Sequence, residues 1–365
     1  MNIQIEFLSP HHKIDWDEYV LNHPEANVYH LSGWQDVIQD TYRLKSFYMA
    51  ARTTNEFGKG QVKGILPLFL IKSPIFGNGL HSIPFFDLGG LLADDEDTEY
   101  ALMKTAIQLK RLYEVKCIEL RQEKPFSKNT MLRILSEKEN DELEFAVNTS
   151  KVRMLVHLPN SADALMNAFK SKLRSQIKRP LKAGLDTRTG GLELLDDFYR
   201  VFAVNMRDLG SPVHSRNLIK NVMRMSPESS RIVVVYLKDK AIAASLITGF
   251  KEIMLNPWSS ALQKYNRLSP NMLLYWTMLS YACENGFRIF DFGRSTRGEG
   301  TYNFKSQWGA KEVGIEWISI KNAQSPAAQT SPDKNKFRHL IQIWKRMPVR
   351  LSLICGPMLR KYISL

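Results

Sequence analysis

The stretch Asp291-Phe-Gly-Arg-Ser-Thr-Arg-Gly-Glu-Gly-Thr-Tyr-Asn-Phe-Lys-Ser-Gln-Trp-Gly309 concentrates residue types able to bind a charged substrate. Its glycines, at 293, 298, 300 and 309, let a backbone come close to a ligand. Arg294 and Arg297 supply forked donors for phosphate, and Lys305 supplies a compact point charge. Tyr302, Phe304 and Trp308 favour packing over a solvated loop. An R-x-x-G-x-G loop for coenzyme A fails by one residue, because position 295 is Ser.

Other catalytic signatures are missing. The chain has no G-x-x-x-x-G-K-[ST], H-E-x-x-H or G-x-S-x-G, and no dinucleotide fingerprint after a first strand. The eight histidines are not at metal-ligand spacings, so no metal site is expected. None of these motifs signals a side-chain nucleophile. Lys305 and Arg294, with Arg297, are expected to hold a substrate's phosphate or sugar. Tyr302 and Trp258 would shape the pocket, and Asp291 would serve as a base or orient a substrate group. Lys305→Ala is expected to cost substrate use but not the fold, since lysine is rarely a core residue.

The elements that must position these residues repeat. Phe47–Arg52 and Val62–Ile71 read as strands, followed by an irregular Gly/Pro-rich stretch from Ser73 to Gly90. A helix over 97–113 and the strand Cys117–Arg121 complete the first set. Arg231–Leu237, Ala241–Phe250 and Ile253–Ser259 then read as strands, Ser269–Asn285 as a helix, and Phe287–Phe292 as a closing strand. C-I-E-L at 117 and I-F-D-F at 289 each follow their helix, which implies two similar α+β domains. The helix at 269 is capped by Ser269, started by Pro270 and stopped by Gly286; its stripe Met272, Trp276, Leu279, Cys283 reads as core. A further helix from Ser161 places Leu165, Phe169, Leu173 and Ile177 on one face, with Pro180 ending or kinking it.

Composition bounds the rest. With 44% hydrophobic and 24% charged residues, the chain is an ordinary globular protein, long enough for about two domains. The net charge of +13 is concentrated: 170–188 carries +6 and 321–365 carries +8, leaving the remainder close to neutral. Such stretches attract phosphate on nucleic acid, substrate or anionic lipid, and a solvated basic helix fits equally well. The segment 321–333 reads as a linker. Beyond it, Phe337, Leu340, Ile341 and Trp344 form an apolar face flanked by bases, suited to a membrane surface or to the protein's own body. The longest apolar run, Gly64–Ile71, is too short to span a bilayer, and Met1–Lys13 lacks a signal-peptide pattern. Three scattered cysteines suit a reducing compartment, so a cytoplasmic location is expected, with peripheral contact at the inner membrane face.

Several of these strings together resemble the FemAB family, in the subgroup that accompanies exosortase/PEP-CTERM and exopolysaccharide gene clusters. They are Asp291-Phe-Gly-Arg-Ser, Gly300-Thr-Tyr-Asn-Phe-Lys305 with Trp308-Gly309, Met206-Arg-Asp-Leu-Gly-Ser-Pro-Val213 and Phe169-Lys-Ser-Lys-Leu-Arg-Ser-Gln-Ile-Lys178. Leu31-Ser-Gly-Trp34, Ser82-Ile-Pro-Phe-Phe-Asp-Leu-Gly-Gly90 and the tail's Trp344-Lys-Arg-Met-Pro348 add to the likeness, which spans about residues 5–320. The resemblance implies two tandem domains of the GNAT acyltransferase fold: 1–150, 151–322, then a linker and basic amphipathic tail over 323–365. It implies transfer from aminoacyl-tRNA to an amine of a cell-envelope precursor, with the lysine at the place of Lys305 on substrate phosphate. It also makes Asp87 a second candidate acid. The chain lacks the helical arm of some tRNA-using members, so an acyl-CoA donor stays open. So do a non-catalytic scaffold for polysaccharide assembly and an RNA-binding module using 170–188.

Overall fold

A computed structural model describes residues 3–53, 60–74, 77–137, 142–323 and 338–364. The expected linker over 324–333 and residues Lys336 and Phe337 of the tail lie outside the described residues. The chain forms two compact units. One comprises the described residues within Met1–Thr149, Gly314–Asp333 and Lys361–Leu365; the other comprises those within Ser150–Val313 and Lys334–Arg360.

The first unit is built on a sheet of eight strands in the order β1-β2-β3-β4-β6-β15-β7, with β5 beside β3. The strands are β1 (Ile3–Phe7), β2 (Lys45–Thr53), β3 (Val62–Ser73), β4 (Gly77–Ser82), β5 (Leu92–Ala93), β6 (Cys117–Gln122), β7 (Leu143–Asn148) and β15 (Glu316–Asn322). Helices α1 (Lys13–Asn22) and α2 (Gly33–Tyr42) bring Trp16 and Trp34 into the interior, where Trp16 meets Tyr48 with ring centroids 5.1 Å apart. A second core gathers α3 (Glu96–Leu112) and α4 (Lys128–Leu135) over Met49, Leu66, Leu68, Leu80, Ile118 and Ile318.

The second unit has a sheet of seven strands in the order β14-β8-β13-β12-β11-β10-β9. These are β8 (Lys151–His157), β9 (Leu185–Gly190), β10 (Ser230–Leu237), β11 (Lys240–Phe250), β12 (Ile253–Ala261), β13 (Ile289–Thr296) and β14 (Lys311–Gly314). Helices α5 (Ala162–Ala168), α6 (Ser171–Lys182) and α9 (Pro270–Glu284) share a core with Val233, Val235, Ile247 and Phe290. The alternate strand residues face α7 (Leu195–Leu209), where Tyr236 donates to Asp197 at 2.6 Å, as the period-two alternation of a strand requires. Also in this unit are α8 (Arg216–Met225), α10 (Gly300–Ser306), α11 (Arg338–Arg346) and α12 (Val349–Arg360).

Four local expectations need correction. The stretch from Ser73 to Gly90 contains β4, which Gly77, Asn78 and Gly79 disguise by their low strand propensity. Pairing with both β3 and β6 holds it extended all the same. The helix from Ser161 is two helices, because Phe169 and Lys170 are both extended. Ser269 takes a left-handed backbone at φ 56° and its hydroxyl caps nothing; Pro270 still opens the helix. Lys321 and Asn322 end β15 rather than begin a linker, and β15 itself belongs to the first sheet.

The tail docks on its own unit. Gly210, at φ 80°, ends α7 and leaves room for Ile341, whose Cγ2 lies 2.5 Å from where a Cβ would stand. Gly356 lies against the Val213 backbone, with a Cβ position 3.0 Å from its nitrogen. Arg207 donates to the Met347 carbonyl at 3.0 Å.

Candidate active site

Strands β12 and β13 run parallel, yet they pair at three positions: Ile253↔Ile289, Met254↔Phe290 and Leu255↔Asp291. Past Leu255 the register of β12 shifts against β11, leaving Asn256 and Pro257 opposite Ile247. A proline inside a strand marks such a bulge, because it has no N–H for the ladder. Strand β13 is irregular against β8 between Asp291 and Arg294. Both strands therefore leave the shared ladder at the same level. Parted parallel strands present backbone groups that can bind an extended amide-bearing ligand and a developing oxyanion.

A buried polar chain fixes the bulge. The Asn256 amide donates to the carbonyls of Leu246 at 2.9 Å and Trp258 at 3.2 Å, and to Ser245 Oγ at 2.5 Å. Ser259 donates to Asn256 Oδ1 at 2.8 Å. Tyr275 of α9 hydrogen-bonds Ser259, and its ring stacks on Phe292 of β13 with centroids 5.6 Å apart. It thus touches both strands where they part. Burial raises the Tyr275 phenol above its ordinary value, against the opposing effect of Ser259, so it stays protonated at neutral pH.

Asp291 is buried at the last paired position, and its Oδ2 accepts from Arg153 Nε at 3.0 Å and Nη2 at 2.8 Å. Its Oδ1 accepts the Gly293 N–H at 2.8 Å. A carboxylate so engaged pins β13 to β8, which weighs against the expected base. Lys305 is also buried, at 7% exposure, contrary to expectation for its type. Its ammonium donates to the carbonyls of Gly293 at 3.0 Å and Arg294 at 2.7 Å, holding the end of β13. Lys305→Ala should therefore lower stability by about 1–3 kcal/mol, the cost of orphaning buried carbonyls, read as a fall in melting temperature.

Arg294 is half-buried beside Lys305. Arg297 and Tyr302 stand with Glu312 on the exposed side, Tyr302 donating to Glu312 Oε2 at 3.0 Å and Arg297 Nε lying 3.1 Å from Oε1. The Tyr302 and then the Arg297 hydrogen bonds hold Glu312 below the usual carboxylate value. Trp258 lies in a ring cluster with His214 at 5.9 Å and Phe202 at 6.4 Å. Burial, then the Arg360 charge, keep His214 neutral, and its Nε2 accepts from Arg360 Nε at 3.1 Å. Asp87 is half-buried in the other unit, where its carbonyl accepts from Trp317 Nε1 at 3.3 Å. Arg153, Asn256, Ser259 and Tyr275 escaped the sequence reading, although Asn256-Pro257 within a strand pattern is a legible bulge signal.

The first unit has the same parting of strands, filled by its own side chains. Strands β4 and β6 pair at Gly79↔Cys117, Leu80↔Ile118 and His81↔Glu119. Beyond that level Ser82 Oγ accepts the Arg121 N–H at 3.0 Å, and the fully buried Arg121 donates to the Phe86 carbonyl at 2.6 Å. The second unit is thus the better candidate. Among the described residues, no group of three or more His, Cys, Asp or Glu is placed to hold a metal ion.

Residues 167–306 match the family model for an acetyltransferase (GNAT) domain. Solved structures with a similar fold include FemX, at 15% identity and TM-score 0.63, covering 86% of this chain and 96% of that one. A tandem GNAT protein from the clavulanic acid biosynthesis pathway shares 12% identity at TM-score 0.55, covering 89% of this chain and 100% of that one. L-PGS from Bacillus licheniformis shares 10% identity at TM-score 0.53, covering 94% of this chain and 99% of that one. A search of curated proteins returns no match. The expected α+β fold with two GNAT-like domains is the fold observed, and the matched segment is an acyltransferase domain.

Proposed function

We propose that this chain transfers an acyl or aminoacyl group to an amine on a phosphate-bearing precursor of the cell envelope or of an exopolysaccharide. The observation that carries the reading is the parting of β12 and β13 inside the matched segment, with a bulge on one strand. The likeness to FemX and L-PGS folds supports an envelope acceptor. In the reaction the amine nitrogen bonds to the acyl carbon while the bond from that carbon to the carrier's sulfur or oxygen breaks. The carrier leaves with a proton, and the amine gives one up. Tyr275, kept protonated and touching both strands, is the donor to the leaving group. Arg294 would contact the acceptor's phosphate, with Arg297 and Tyr302 at the rim and exposed bases of α6 available to the donor's phosphates.

The test supplies pure protein with labelled acyl-CoA in one arm and labelled aminoacyl-tRNA in the other. Both arms contain an amine-bearing, diphosphate-linked sugar. Transfer in one arm is expected, and it identifies the donor. Tyr275→Phe should slow that transfer about 10²-fold with little change in melting temperature. Absence of transfer from folded protein in both arms would overturn the reading. Salt-sensitive tRNA affinity regardless of the attached amino acid would then favour an RNA-binding module.

A further inference from the structure

We infer that α11 and α12 form a docking surface for an anionic lipid bilayer. The inference goes beyond the transfer reaction and does not depend on it. The body of the protein covers one face of each helix. In α11, Ile341 and the buried Trp344 turn inward, with Ile341 on Gly210. In α12, the buried Ser352, Gly356 and Arg360 recur every four residues and face Val213 and His214. The other faces hold large hydrophobics in solvent: Leu340 and Ile343 on α11, and Leu351, Ile354 and Met358 on α12. Ile354 and Met358 are 64% exposed and, at 100° per residue, stand opposite Gly356. An apolar area of this kind marks an interaction surface.

Charge selects the occupant. The exposed Arg338, Lys345, Arg346 and Arg350 border the apolar residues, and the described segment 338–364 contains no Asp or Glu. A second copy docking through this face would set like charges against like. An anionic bilayer complements both features, accepting side chains into its interface and attracting bases to its headgroups. No described helix is long and apolar enough to cross a membrane, so the helices would lie in the interface plane.

The probe is full-length protein floated with vesicles of phosphatidylcholine alone, or of phosphatidylcholine with one-third phosphatidylglycerol. Binding to the anionic vesicles is expected, weakened by salt, with little binding to the neutral ones. Ile354→Asp/Met358→Asp should weaken binding at least tenfold without lowering the melting temperature, because both side chains already stand in solvent. Arg346→Gln/Arg350→Gln should keep the apolar face but lose anionic preference, about fivefold for each base. Equal binding to both vesicle types, or none to either, overturns the inference. So does an aspartate variant that binds like the parent, or one whose sole effect is to break up a self-associated form seen by light scattering. Vesicle binding needs no substrate, so its failure leaves the transfer reaction untouched.

Discussion

Arg121→Met should destabilise the first unit by about 3–5 kcal/mol, because it strands a buried carboxylate. Glu119 and Arg121 are both fully buried, and Arg121 Nη2 lies 2.6 Å from Glu119 Oε1. Burial alone would raise the Glu119 carboxyl. The Arg121 charge, aided by His81, overcomes it and holds the group down to about 2. A depressed carboxyl stabilises the fold in full above its unfolded value near 4.5, and that contribution is lost as the pH falls through 2. Without the guanidinium, burial pushes the carboxyl up instead, and the variant then gains relative stability on acidification. The deficit should be largest at neutral pH and shrink toward pH 3–4. Thermal unfolding of parent and variant across that range checks it, and a deficit independent of pH would refute it. Glu119→Gln/Arg121→Met should recover part of the loss; the guanidinium's bonds to the carbonyls of Phe86 and Ser364 remain missing.

Asp291→Ala should cost the second unit a similar amount, again about 3–5 kcal/mol, by leaving Arg153 buried without its partner. The repeat strengthens this expectation. Glu119 and Asp291 occupy the same third position of the two parallel registers, and each is held by a buried arginine. A catalytic base would not be needed twice at that place, whereas a pin where two strands separate would be. Asp291→Asn can still accept the Gly293 N–H while losing the ion pair, so it separates the roles. A pinning residue predicts a lowered melting temperature with the activity of the folded fraction largely retained at low temperature. Full stability with activity abolished would restore Asp291 as the base.

Much of this architecture is legible in the sequence. The apolar runs of β2, β3, β10 and β11 and the helix–strand order around Cys117 and Ile289 are local signals, and they survive in the fold nearly residue for residue. β4 was not readable, since Gly77-Asn78-Gly79 carries no strand propensity and is made a strand by its two neighbours. Leu165, Phe169, Leu173 and Ile177 keep helical spacing across a break, because both helix fragments bury their residues in the same core. The loop after Asp291 stood out through its glycines and bases. The depth of Lys305 and Asp291 did not, because it depends on β8 and α10, whose placement no short string encodes. Arg153 is one charge among the apolar residues of β8. Its meaning needed the register against β13.

The late position of β15 in the chain sets a timetable for the first sheet. β6 is flanked on one side by β15, and β7 also pairs with β15, yet β15 is made about 170 residues after β7. At a synthesis rate of 5–20 residues per second, the first sheet waits roughly 10–35 s with the edges of β6 and β7 bare. Exposed edges of that sort invite pairing with other nascent chains. In the second sheet β8 waits about 130 residues for β13, but β13 emerges to find that partner already made. A fragment cut at the boundary near residue 150 would keep those bare edges permanently, so the halves of this chain are repeats in form without being independent in birth.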